Sequence, residues 1–266
     1  MSRPSWRIAA ACEIGTSHLN SGLPCQDSAT QEIIDAEEGP ILLAVVCDGA
    51  GSAAFSDIGS QLAAATIIEK VGAYFAEGGQ LNDIDRDVMT GWVLNAADRL
   101  IAKANEDGNI PKDYSCTMLI AIAGAEGAVF AQIGDGAIVV SHGEADGWSW
   151  VFWPQHGEYA NQTVFILSAN ATESLAFTSE PRRIDEIAIF SDGIERMVLH
   201  AETKAVNDAF FNEMFVPVRA SRANGLDPHL SCQLRAYLGS PPVNARTNDD
   251  KTLVMATRRP HEVTKE

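Results

Sequence analysis

The run at residues 41–47, Ile-Leu-Leu-Ala-Val-Val-Cys, limits the fold of this chain more than any other stretch. Both alternating sets of side chains are apolar, so a strand made from it must be covered on both faces. The run stops at Asp48 and passes into Gly49, Ala50, Gly51 and Ser52. An unpaired carboxylate is costly to bury, which places Asp48 at the strand tip, while the small residues after it let backbone approach whatever the carboxylate holds. Taken alone, strand-Asp-Gly also describes an ordinary turn. The question is whether other segments send carboxylates to the same place.

Residues 116–123, 128–133 and 137–141 are short apolar runs separated by Gly-Ala-Glu-Gly and Gly-Asp-Gly. That pattern predicts a meander of consecutive antiparallel strands, with Asp135 in a tight turn. Residues 184–190 repeat the opening pattern, a strand that ends in Ser191-Asp192-Gly193. A Pro-rich loop at 239–247 then delivers Asn248-Asp249-Asp250 immediately ahead of a last strand at 252–256. Further strands are expected at 6–14, 148–153 and 163–167. Residues 15–28 read as a polar loop carrying His18, Gln26 and Asp27, and 32–38 as a hairpin connection. Helical spacing is found at 56–75, with Ile58, Leu62 and Ala65 on one face and Ile67, Val71 and Phe75 widening it. It recurs at 83–104, through Val88, Trp92, Ala96 and Leu100, and again at 194–220 and 228–238. Strands and helices come in blocks, with no internal repeat, low-complexity tract or long linker, which predicts one α+β domain over residues 1–266.

Charge and cysteine usage narrow the function classes. Asp plus Glu number 36 against 19 Lys plus Arg, a formal net charge of -17. Nucleic-acid affinity depends on neutralising phosphates with cations, so a nucleic-acid partner is not expected. The five cysteines are odd in number and contain no Cys-x-x-Cys pair, which suits a reducing compartment and no zinc site. No signal-peptide pattern is present and no apolar run approaches the roughly 20 residues that span a bilayer, so a cytoplasmic protein without a membrane partner is expected.

Asp48, Asp135, Asp192 and Asp249 thus all lie at strand ends or turns beside Gly or a small polar residue. Gathered carboxylates repel, and a shared site is stable mainly when a cation neutralises it. Oxygen-only ligands favour Mg2+ or Mn2+ over zinc. Two such ions, about 3.5–4 Å apart, can activate water and polarise a phosphoryl group, so phosphoester hydrolysis is the natural reaction.

The order and context of Cys25-Gln26-Asp27, Val46-Cys47-Asp48-Gly49, Ile133-Gly134-Asp135-Gly136, Phe190-Ser191-Asp192-Gly193 and Asp249-Asp250-Lys251-Thr252 resemble the metal-dependent serine/threonine phosphatases of the protein phosphatase 2C family. The resemblance spans roughly residues 8 to 257, leaves a short tail at 258–266, and is nearest to a compact bacterial subgroup with the Gln-Asp and His-Gly-Glu-Tyr-Ala-Asn segments. It implies a four-layer αββα sandwich, two central antiparallel sheets flanked by helices, with a two-metal site at one edge. By position, Asp48 would bridge both ions, the Gly49 carbonyl would bind one, and Asp192 and Asp249 would hold the other. Asp135 would share a weaker third metal position with Asp192, and Asp27 would orient metal-bound water. A hydroxide bridging the metals would attack phosphorus in line, with no phosphoenzyme intermediate. The implied substrate is a phosphorylated protein, with a bacterial serine/threonine kinase or its targets as partner.

Three positions depart from the family pattern. Gln26 stands where a glutamate is usual, a neutral ligand that removes one negative charge and should lower metal affinity. The loop holds no arginine at the spacing where many members grip substrate phosphate, which leaves His18 as the candidate substitute. Ala50 replaces a histidine, so a proton for the leaving group must come from water or a residue such as His156. Two other readings stay open: a phosphatase-like module that binds phosphorylated partners with little or no turnover, and a metal-dependent phosphodiesterase or nuclease.

Overall fold

The structure, a computed structural model, describes residues 6–143, 146–155 and 163–259. The chain begins with strand β1 (Arg7–Glu13), a short helix α1 (Thr16–Ser21), β2 (Ser28–Ala36) and β3 (Gly39–Cys47). Two long helices follow, α2 (Ser56–Ala76) and α3 (Arg86–Asp107), and then β4 (Met118–Ala123), β5 (Ala128–Ile133), β6 (Ala137–Ser141) and β7 (Ser149–Phe152). Next come α4 (Ala171–Ser174), β8 (Ala176–Glu180), β9 (Glu186–Phe190), α5 (Glu195–Val198), and the small pair β10 (Leu199–His200) and β11 (Ala205–Val206). The chain closes with α6 (Asp208–Ala220), β12 (Gly225–Leu226), α7 (Pro228–Leu238), α8 (Pro241–Asn244) and β13 (Lys251–Thr257).

Two sheets dominate, ordered β12-β1-β13-β9-β6-β7 and β2-β3-β4-β5-β8. Pairing is antiparallel throughout except for the short parallel contact of β12 with β1. The central strand β3 shows why they stack. Ile41, Leu43, Val45 and Cys47 face the core under α2 and α3, whereas Leu42, Ala44 and Val46 face the core between the sheets. Fully burying each large aliphatic side chain contributes about 1.5–3 kcal/mol, and β3 buries one on each face in turn. A third core, with Phe190, Phe211 and Phe215 at its centre, joins the six-stranded sheet to α6 and α7. The result is the expected four-layer αββα sandwich.

Several local expectations differ from the structure. The run 128–141 is no simple meander: β5 lies in one sheet and β6 in the other, paired with β9 and β7. Gly134-Asp135-Gly136 is therefore a crossover between sheets. Gly134 takes φ +109°, and a Cβ on Gly136 would sit 2.6 Å from the Phe190 carbonyl oxygen, so two glycines permit the bend. Helix α2 buries its small residues, Gly59, Ser60, Ala63 and Ala64, and leaves Ile58 37% exposed. Close approach decides this, because a Cβ on Gly59 would lie 2.0 Å from the Tyr114 carbonyl oxygen.

Residues 163–167 form no strand; Ile166 donates to the Cys116 carbonyl and plugs the core beneath α2 and α3. Residues 194–220 are not one helix but α5, the β10–β11 hairpin with Lys204 at φ 48°, and α6. The polar loop at 15–28 contains α1, and 32–36 belong to β2, whose turn into β3 occupies only 37–38. Residues 176–180, for which no strand is expected, form β8 at the edge of the five-stranded sheet.

Candidate active site

Strand register explains why distant carboxylates meet. Ser28 pairs with Cys47, which sets Asp27 beside Asp48. Ala137 and Leu253 both oppose Phe190, which brings the entry to β6, the exit of β9 and the entry to β13 to one end of the sheet. Met118 opposes Ile133 in the other sheet, and Asp48 N–H donates to Thr117 Oγ1 at 3.0 Å, so Asp48 and Asp135 reach that same end.

Asp48, Gly49, Asp135, Asp192, Asp249 and His18 line one cavity of about 130 Å3. Ala50 is also on its wall and brings only a methyl group, and no arginine lines it among the described residues. Burial and the charges of Asp27, Asp192 and Asp135 push the Asp48 carboxyl well above the usual range. Burial, then Asp135 and Asp249, raise Asp192 to about 6. The two side chains contact each other closely enough to share a proton, which is how such a pair relieves its repulsion without a cation. Thr163 Oγ1 donates to Asp135 Oδ2 at 2.5 Å and holds that carboxylate in place.

Asp27 sits behind the wall. Ser191 Oγ and Thr252 Oγ1 each donate to its Oδ2 at 2.7 Å, and burial still lifts its carboxyl to about 7, with Asp250 and Asp192 adding to the effect. Gln26 is buried as well. Its N–H donates to Asp250 Oδ2 at 2.6 Å, its carbonyl accepts from Ser60 Oγ at 2.6 Å, and its Oε1 has no hydrogen-bond donor. Gly49 packs against it so closely that a Cβ would lie 2.9 Å from the Gln26 Cβ.

Asp250 is the residue whose part the sequence did not disclose. Only 3% exposed, it accepts from Gly15 N–H at 2.6 Å and Gln26 N–H at 2.6 Å, and it meets His18 Nδ1 at 2.9 Å. It thereby ties β13, the loop after β1 and the approach to β2 together. The adjacent pair Asp249-Asp250 ahead of a strand was the available signal, since alternation sends one side chain outward and the next inward. Lys251 is fully buried beside it, its Nζ donating to the carbonyls of Ile14 and Asp249, and burial lowers its pKa. His156 and the segment 156–161 lie outside the described residues.

Among the described residues, no group of three or more His, Cys, Asp or Glu side chains is arranged as a ready metal site. The chemistry of the donors nevertheless suits a hard divalent cation. The carboxylate and carbonyl donors are oxygens, several carboxyls are raised by burial and then by mutual repulsion, and one buried carboxamide oxygen, Gln26 Oε1, is left without a donor. No described helix is long and apolar enough to cross a membrane, and all five cysteines are free thiols.

Comparison with known proteins agrees with this architecture. The chain is 36% identical over 260 residues to serine/threonine-protein phosphatase 3 of Escherichia coli (strain K12), covering 95% of this chain and 98% of that protein. Its fold matches a solved bacterial serine phosphatase with a TM-score of 0.62 at 14% identity, over 96% of this chain and 99% of that one. It also matches the serine/threonine phosphatase Stp1 of Staphylococcus aureus with a TM-score of 0.59 at 15% identity, over 94% of each chain. The family model for protein phosphatase 2C matches residues 14–239, and with the aspartates of its five motifs at one end of the paired sheets, the chain belongs to the protein phosphatase 2C family.

Proposed function

We propose that this chain hydrolyses phosphoserine and phosphothreonine in proteins with Mg2+ or Mn2+ as cofactor. The observation that carries the reading is the contact of Asp48 with Asp192 in a cavity also lined by Asp135 and Asp249. Asp48 would span two cations, with the Gly49 carbonyl on one and Asp192 and Asp249 on the other. Asp135 would join Asp192 at a weaker third position, and Gln26 would add a neutral oxygen. When bound, such cations activate water and offset charge on phosphoryl oxygens.

The protein's own groups do the positioning. Both hydroxyl bonds to Asp27 fall on Oδ2, which leaves Oδ1 to accept from water and orient it. His18 is fixed through Nδ1 to Asp250, so Nε2 is its free nitrogen, available as a donor to a phosphoryl oxygen in a cavity that no described arginine lines. The name of the Escherichia coli relative supports a phosphoprotein substrate, and a serine/threonine kinase that phosphorylates those proteins in the cytoplasm is the corresponding partner.

A second reading, a module that binds phosphorylated partners with little turnover, is favoured by the neutral Gln26 and by the lack of a ready three-ligand set among the described residues. Phosphate release from a phosphothreonine peptide with Mn2+ separates the two. Wild-type turnover that drops at least about 100-fold in Asp192→Ala supports the phosphatase. A folded protein that binds Mn2+ and the peptide without releasing phosphate supports the module.

A further inference from the structure

Next to the acidic cavity lies a second one of about 200 Å3, which shares Asp192 and Asp249 with it and is otherwise walled in part by Arg196, Arg246 and Met197. Arg196 is on α5, just beyond the Asp192 turn, and Arg246 follows α8, just ahead of Asp249. Local bonds hold the Arg246 segment in place: Arg246 N–H donates to the Val243 carbonyl at 2.9 Å, and Asp249 N–H donates to Thr247 Oγ1 at 3.3 Å. Both arginines are exposed, and neither forms an ion pair among the described residues. Two free guanidinium groups on the rim of an acidic site suit an anion that arrives with the substrate.

We infer that Arg196 and Arg246 form a subsite for a second anionic side chain of the substrate, an acidic or phosphorylated residue flanking the phosphoamino acid. The inference rests on the phosphatase reading of the adjoining cavity. The phosphoryl group to be removed belongs over the carboxylate cluster, so the neighbouring cavity meets the next part of the peptide. Aspartates between the two cavities repel a second anion unless cations or the arginines offset them, which makes the arginines the discriminating groups.

The test is fluorescence anisotropy on the full chain in Mn2+, with hydrolysis-resistant phosphonate analogues of a phosphothreonine peptide. One peptide carries flanking Glu, one carries Gln at the same positions, and one carries flanking phosphoserine. Exposed ion pairs are individually weak, so the Glu peptide should bind wild type about fivefold more tightly than the Gln peptide. This preference should disappear in the Arg196→Ala/Arg246→Ala double variant, and the phosphoserine peptide shows which anion is preferred. Equal affinities in wild type, or a preference that survives the double variant, would overturn the subsite. Turnover of an ordinary phosphopeptide, followed in parallel, tests the phosphatase reading separately, because binding preference reports on the arginines whether or not phosphate is released.

Discussion

Among single residues, Asp250 and Asp48 illustrate two uses of a carboxylate in one small volume. Asp250 is satisfied by two backbone N–H groups and the His18 ring, and so acts as a clamp. Asp48 faces other carboxylates and gains stability only by sharing a proton or meeting a cation. Asp250→Ala should therefore lower unfolding free energy by about 3 kcal/mol in urea titration, because it leaves two buried N–H groups unpaired. A loss under 1 kcal/mol would mean that water replaces the carboxylate without cost. The aspartates at positions 48, 135, 192 and 249 were legible because each lies at a strand end or turn beside a small residue, and Asp27, in a polar loop, only through the family resemblance. Asp250 was not, since its partners come from Gly15, His18 and Gln26, far away in sequence.

The secondary-structure elements show where local pattern stops being informative. Strand β3 was readable because both of its faces are buried, but nothing in the runs 128–133 and 137–141 says that they enter different sheets. Helix α2 was located correctly, and Ile67, Val71 and Phe75 are buried as expected, but Ile58 and Ala65 are exposed while Gly59, Ser60, Ala63 and Ala64 are buried, because apolar size marks the buried side only when there is room for large side chains. Against Tyr114 there is none. Gly59 and Gly72 lie in this same helix and make the point testable. Intrinsic propensity favours Gly→Ala by about 1 kcal/mol in a helix interior. A Cβ at Gly72 meets nothing within 4 Å, so Gly72→Ala should raise the melting temperature by a few degrees. At Gly59 the added Cβ would lie 2.0 Å from backbone, and Gly59→Ala should lower the melting temperature despite the better propensity. Equal shifts of one sign in thermal unfolding would refute this packing of α2.

For the whole molecule, one end of the paired sheets concentrates negative charge in a chain that is already acidic. Burial holds Asp27 at about 7 and Asp192 at about 6, both above the ordinary aspartate value of 3.8, and raises Asp48 too. Between about pH 4 and pH 7 the metal-free folded state therefore binds more protons than the unfolded chain, so its stability must fall as pH rises through that window. Urea unfolding of metal-stripped protein should give a stability at pH 8 lower than at pH 5 by a few kcal/mol. Mn2+ should reverse the trend, because it binds the ionised carboxylates. A metal-free stability that climbs from pH 5 to pH 8 would contradict these assignments. The α+β class was legible from blocks of strands and helices, and the four-layer sandwich only through the family resemblance, whereas the pairing of β9 with β13 and β6, which assembles the site, is long-range and has no local signature.

The most direct test of the central claim is phosphate release from a phosphothreonine peptide by metal-stripped protein titrated with Mn2+, for wild type and Asp48→Asn. No turnover is expected without the ion, and a saturable rise with it. In Asp48→Asn the rise should be at least about 100-fold smaller and shifted to higher Mn2+, with the fold retained. Turnover that persists in chelator, or an Asp48→Asn titration that overlays wild type, would contradict it.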